Sequence, residues 1–161
     1  MDELIPVTVG SPAPAFSLIS TDGRTIGLTE YLGKSIIVIV FLRGFMWPYC
    51  RRHLRQLAEQ YHSFKKLGVE IIAVTSESMQ TARRYFLDNK ICFPCVIDPE
   101  KTVYRRYGVA SRLMSLGQRP GIFVIDLKGL VQHIYIGRQQ WELSNIPEII
   151  RICTNLVPER E

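Results

Sequence analysis

No apolar run in this chain approaches the ~20 residues needed to cross a bilayer. The longest, residues 36–42, has the length of a β-strand. The first residues, from Met1 to Pro6, lack a basic stretch followed by an apolar one, so a secretory signal is not expected and the cytoplasm is the default compartment. Linkers, internal repeats and low-complexity tracts are missing too, which predicts a single domain over residues 1–161. Cysteine is sparse: four residues, at 50, 92, 95 and 153, do not make the disulfide framework of a small secreted protein. In a reducing compartment such thiols are catalytic, redox-active or simply buried. No His or Cys set has the spacing of a zinc site, so neither a metal nor a cofactor is expected. A net charge of +5 is spread along the chain without interleaved exposed aromatics, which argues against a nucleic-acid partner.

What the chain does have is a sizeable apolar fraction, 47%, with 22% charged residues, the balance of an ordinary globular protein. Pro12, Pro14, Phe16 and Leu18 predict an extended leading segment, followed by a turn at Thr21-Asp22-Gly23-Arg24 and a short helical turn at residues 29–33. Residues 36–42 are apolar without alternation, as in a strand covered on both faces. Leu54, Leu57, Tyr61, Phe64 and Leu67 recur at helical spacing after Pro48, and Gly68 ends that helix. A second buried strand over 69–74, a helix over 79–89, a short strand over 93–97 and a helix over 103–107 follow. Residues 121–126 and 130–136 read as a hairpin, and the last helix starts near Ser144, burying Ile146, Ile149, Ile150 and Cys153. The order β-α-β-α-β-α-β-β-α predicts an α/β fold: a central mixed sheet with helices on both faces.

Cys50 lies directly behind the first buried strand and, with Pro48 suited to the first helical position, within the first turn of a basic helix. Unpaired backbone N–H groups and the partial positive charge of a helix N-terminus favour an anion there, and the thiolate is the nucleophilic form of cysteine. The densest cationic cluster of the chain, Arg51, Arg52, His53 and Arg55, adjoins it. Thiol chemistry is the reading that follows.

Three further segments carry a family resemblance: residues 10–16 with Asp22-Gly23 and 28–34; Phe93-Pro94 with Asp98-Pro99 and residues 107–109; and Arg119-Pro120 leading into 121–126 with Gly129. Together they resemble the peroxiredoxin branch of the thioredoxin fold, the alkyl hydroperoxide reductase and thiol-specific antioxidant family. The active-site turn, from Arg43 to Cys50, is similar to a subgroup with Arg-Gly followed by Trp-Cys-Pro-Tyr-Cys. Arg43, Gly44, Pro48, Tyr49 and Cys50 match that pattern, whereas Trp47 replaces its first cysteine. Ordinary peroxiredoxins have Thr or Ser at the position of Trp47, and their peroxidatic cysteine at that of Cys50.

The resemblance implies a thioredoxin-like, peroxiredoxin-type fold and a thiol peroxidase in which Cys50 attacks a peroxide oxygen and becomes a sulfenic acid. Arg119 and Cys50 would be the catalytic pair, with Arg43, Trp47 and Pro120 lining the pocket. Pro120 occupies the place where thioredoxin folds often hold a cis-proline. The substrate implied is hydrogen peroxide or an organic hydroperoxide, and the reductant a thiol of the thioredoxin or glutathione type. A homodimer is the family expectation. Cys92 and Cys95 are candidate resolving cysteines, but their Cys-x-x-Cys leads into a strand, whereas a thioredoxin-type motif opens a helix. The expected mode is therefore 1-Cys. Loss of the Thr or Ser hydroxyl at Trp47 supports a second reading, a redox sensor or binding module without turnover. Thiol–disulfide exchange ranks third, because the motif's first cysteine is absent. Cys153 reads as core, and His53, His62 and His133 as solvated or structural.

Overall fold

The apolar run that dominates the sequence forms the middle strand of a five-stranded sheet. The computed structural model describes residues 6–109, 120–137 and 145–158. An antiparallel hairpin comes first, β1 (Ser17–Ile19) with β2 (Thr25–Gly27), and a 3-10 turn over Leu28–Tyr31 follows. Next come β3 (Ile36–Phe41), α1 (Pro48–Lys66), β4 (Val69–Thr75), α2 (Met79–Asp88), β5 (Cys95–Ile97) and α3 (Thr102–Arg106). The described elements end with β6 (Gly121–Ile125), β7 (Val131–Ile136) and α4 (Ile146–Leu156). The sheet order is β5-β4-β3-β6-β7; β3, β4 and β5 are parallel, and β6 and β7 run antiparallel to their neighbours.

Successive residues of a strand point to opposite faces, so an unbroken apolar run fits only a strand sandwiched between two layers. Ile36, Val38, Val40 and Leu42 pack with Leu54 and Leu57 of α1, Ala82 and Phe86 of α2, and Ile149 and Cys153 of α4. Ile37, Ile39 and Phe41 join the opposite layer, made by Val103, Tyr104 and Tyr107 with Phe16 and Ile26 of the leading segment and hairpin. Phe41 meets Tyr104 and Phe123 edge-on at centroid distances of 5.0 and 5.6 Å, an arrangement aromatic rings favour. The predicted mixed sheet with helices on both faces is the one observed.

The differences are local. The β1–β2 pairing was not legible, because two three-residue strands show too little alternation. It is held by a turn in which Asp22 accepts from the Ser20 hydroxyl and the Arg24 backbone. β5 starts at Cys95 rather than residue 93, since Pro94 has no N–H to give the ladder. Helix ends differ from the expected ones by one or two residues, the usual fraying range. Ile150 is half-buried rather than buried, at the edge of the apolar face of α4.

Candidate functional site

The site forms where the parallel strands β3 and β4 end. The Leu42 N–H donates to the Val74 carbonyl at 2.9 Å, extending the ladder one residue beyond β3. Across the other face, the Tyr104 hydroxyl of α3 lies 2.6 Å from the Leu42 carbonyl and 2.8 Å from that of Val74. This buried phenol clamps the two strand ends, from which the chain turns through residues 43–47 into α1.

Trp47 is the extended N-cap of α1 and makes no side-chain capping bond, so it leaves the first-turn N–H groups unused by a cap. Pro48 opens the helix, where its missing N–H costs nothing. Cys50 is the third helical residue and is only 6% exposed. The buried Arg43 guanidinium stands over the Trp47 ring, 3.8 Å from its centroid, a cation–π contact. A side chain on Gly44 would meet Trp47 Cδ1 at 3.3 Å, so the glycine lets the indole close down on the turn. The Phe45 N–H donates to Glu77 Oε2 at 3.4 Å, and Arg51 Nε donates to the Phe45 carbonyl. Phe45 stacks on Tyr85 of α2 at 4.5 Å. The turn is thus tied to both α1 and α2.

Pro120 reaches the same end of the sheet by register. Phe41 pairs with Gly121, which sets Pro120 opposite Leu42, and the Pro120 carbonyl accepts from Gly137 N–H at 3.0 Å. Arg119, and with it the Arg119–Pro120 peptide bond, lies outside the described residues. Pro120 is therefore brought from a distant part of the sequence to the end of the sheet where Arg43, Trp47 and Cys50 stand together.

The remaining cysteines stand apart. Cys95 pairs with Ala73 in the sheet and is fully buried, and desolvation pushes its thiol well up from the ordinary value. Cys153 lies in the same core, its thiol pushed up to about 12 by burial. Cys92 is exposed, its Sγ 3.7 Å from the Lys90 carbonyl. It lies on the connection from α2 to β5. All four cysteines are free.

Four features of the site escaped the sequence reading. Tyr104, Glu77 and Tyr85 come from elements far away in the chain and carry no local motif. His53 was assigned as solvated or structural, and the solvated alternative is corrected: it is buried, and desolvation lowers its imidazole to about 4. Its signal was present in the spacing, one turn after Cys50 and one turn before Leu57. Among the described residues, no group of three His, Cys, Asp or Glu side chains is disposed to hold a metal ion, and no helix is long and apolar enough to cross a membrane.

The family model described as AhpC/TSA matches residues 9–134. The chain belongs to the AhpC/TSA family. This AhpC/TSA protein is 31% identical over 152 residues to "Peroxiredoxin Q, chloroplastic" of Triticum aestivum, a match that covers 93% of this chain and 68% of that one. It is 35% identical over 136 residues to the thiol-disulfide oxidoreductase ResA of Geobacillus thermodenitrificans, covering 84% and 73%. Among solved structures, peroxidoxin BcpB from Mycobacterium tuberculosis superposes with a TM-score of 0.82 at 17% identity, over 93% of this chain and 98% of that one. The reduced 2-Cys peroxiredoxin of Plasmodium vivax gives 0.81 at 23% identity, over 92% and 81%. The fold is the peroxiredoxin form of the thioredoxin fold, and the protein is an antioxidant oxidoreductase of the thiol peroxidase class.

Proposed function

We propose that Cys50 is the peroxidatic thiol of a 1-Cys enzyme that reduces hydrogen peroxide or organic hydroperoxides. One observation carries the reading: Cys50 occupies the first turn of α1 beside the buried Arg43–Trp47 pair, while Cys95 and Cys153 are core and Cys92 lies on the connection from α2 to β5. In the reaction the Cys50 thiolate attacks the terminal peroxide oxygen. The S–O bond forms as the O–O bond breaks, and the departing alkoxide or hydroxide takes a proton. Arg43, with Arg119, supplies positive charge where the leaving oxygen becomes negative. Trp47 and Pro120 wall the pocket. The resulting sulfenic acid is reduced by an external thiol of the thioredoxin or glutathione type.

A second reading, a sensor without turnover, is favoured by the slight exposure of Cys50 and by the indole standing where a hydroxyl would assist. Stopped-flow oxidation of the purified protein against Cys50→Ser separates them. Peroxide consumption that vanishes in the variant and persists through many cycles with excess thiol supports the enzyme. A trapped sulfenic acid that no thiol recycles supports the sensor, and equal rates for wild type and variant end both. A homodimer, on family grounds, and a cytoplasmic location are proposed; light scattering and cell fractionation check them.

A further inference from the structure

Met46 and Leu87 are the two most exposed large apolar side chains among the described residues, at 82% and 68%. Both stand in one cationic surface. Along α2, Gln80, Arg84 and Asp88 recur every four residues and form a ridge. A hollow that includes Met79, Arg83 and Leu87 runs along it, and a second includes Met46, Arg51 and Tyr85. The ridge residues line both. The second hollow shares Arg51, Tyr85 and Asn89 with a third, between α1 and α2, which adds Arg52, Arg55 and Lys90. Cys50 lines none of the three.

Six cations thus share this face with three carboxylates, Glu59, Glu77 and Asp88, which leaves it a net charge of +3. All six cations are exposed, and none of the ion pairs seen among the described residues uses them. Their field selects an anionic occupant. Met46 and Leu87 select one that also offers apolar material. A second copy of this chain would bring the same positive face and be repelled. A nucleic acid would want free rings for its bases, but Phe45 and Tyr85, the two aromatic residues lining the hollows, are stacked on each other at 4.5 Å. An anionic bilayer surface satisfies both demands, with headgroup phosphates at the level of the cations and acyl chains just beneath. Five of the six cations are arginines, whose planar fork takes a phosphate with two donors.

We propose that the outer face of α1 and α2 docks on an anionic lipid surface. The arginines and Lys90 pair with headgroup phosphates, while Met46 and Leu87 enter the boundary between headgroups and acyl chains. The contact is peripheral and is independent of the chemistry of Cys50.

The test sediments the full-length protein with vesicles of phosphatidylcholine containing phosphatidylglycerol, and with vesicles of phosphatidylcholine alone. Binding to the anionic vesicles is expected at low salt, and it should weaken by about 0.5 M salt as the charges are screened. Arg83→Glu with Arg84→Glu makes the net charge of the face negative and should weaken binding by more than about tenfold. Met46→Ser with Leu87→Ser should weaken it by about fivefold while the salt dependence persists. Lys66→Glu with Lys128→Glu makes the same change in net charge away from the hollows, and should leave binding within about twofold of the wild type. Equal partition of the wild type to both kinds of vesicle overturns the proposal without recourse to any variant. An equal loss in the Lys66 and Lys128 pair also overturns it, because binding then follows overall charge. Unchanged binding in the Met46 and Leu87 pair, or release from the vesicles by polyglutamate at matched charge, overturns the lipid assignment in favour of a soluble acidic partner.

Discussion

Where the resembled family has a hydroxyl, Trp47 puts a π-face under a buried arginine. The contact holds Arg43 at the strand end, but gives the peroxide no O–H to orient it. Trp47→Thr should therefore speed Cys50 oxidation, by about tenfold if the hydroxyl is worth one good transition-state hydrogen bond. Single-turnover stopped-flow kinetics against the wild type reads this directly, and an unchanged or slower rate assigns the indole a positive role in the pocket. One helical turn beyond Cys50, His53 makes a different prediction. Its folded value lies near 4, against 6.5 for an ordinary imidazole, so between these limits the unfolded chain takes up a proton that the folded protein refuses. Stability is complete above pH 6.5 and falls as the pH drops toward 4, by on the order of 2–3 kcal/mol. Urea midpoints measured across that window should show the loss in the wild type and little of it in His53→Met.

At the scale of elements, the site exists because β3 and β4 end together. Tyr104 enforces this from α3, its hydroxyl within hydrogen-bond reach of both the Leu42 and Val74 carbonyls. Tyr104→Phe keeps the ring that packs on Phe41 and leaves those buried carbonyls without their phenol. It should cost about 1–2 kcal/mol by urea denaturation. It should also slow peroxide oxidation, because the turn bearing Arg43 starts at Leu42. A stability loss without a kinetic change would confine Tyr104 to the fold. The long elements were legible because each carries one clear period: the unbroken apolar run of β3, and the 3.6-residue spacing of Leu54, Leu57 and Phe64 in α1. The β1–β2 hairpin was not, since strands of three residues owe their pairing to a turn and a neighbouring layer rather than to their own pattern.

Across the whole molecule, Cys95 and Cys153 sit in one core on the same face of the sheet, although they come from β5 and α4. Neither is reached without opening that layer. In a urea series, both should become reactive toward a thiol reagent together, at the global unfolding midpoint. Cys92 is exposed and should label at every urea concentration. Mass spectrometry of the labelled peptides checks the order. Labelling of Cys153 well before Cys95 would show that α4 opens as a separate unit.

The sequence by itself determined which thiol to consider. A cysteine directly after a buried strand and inside the first turn of a helix is placed by local pattern alone, and strand and helix periods lie within a few neighbouring residues. It also determined the layered α/β architecture, because an apolar run on both faces of β3 demands cover on both sides. Only the tertiary structure decided the company Cys50 keeps. Tyr104 reaching across from α3, Pro120 brought opposite Leu42 and Phe45 stacked on Tyr85 of α2 all depend on contacts between distant segments. Such contacts arise from strand register and helix packing, which are properties of the assembled layers and leave no period in the chain.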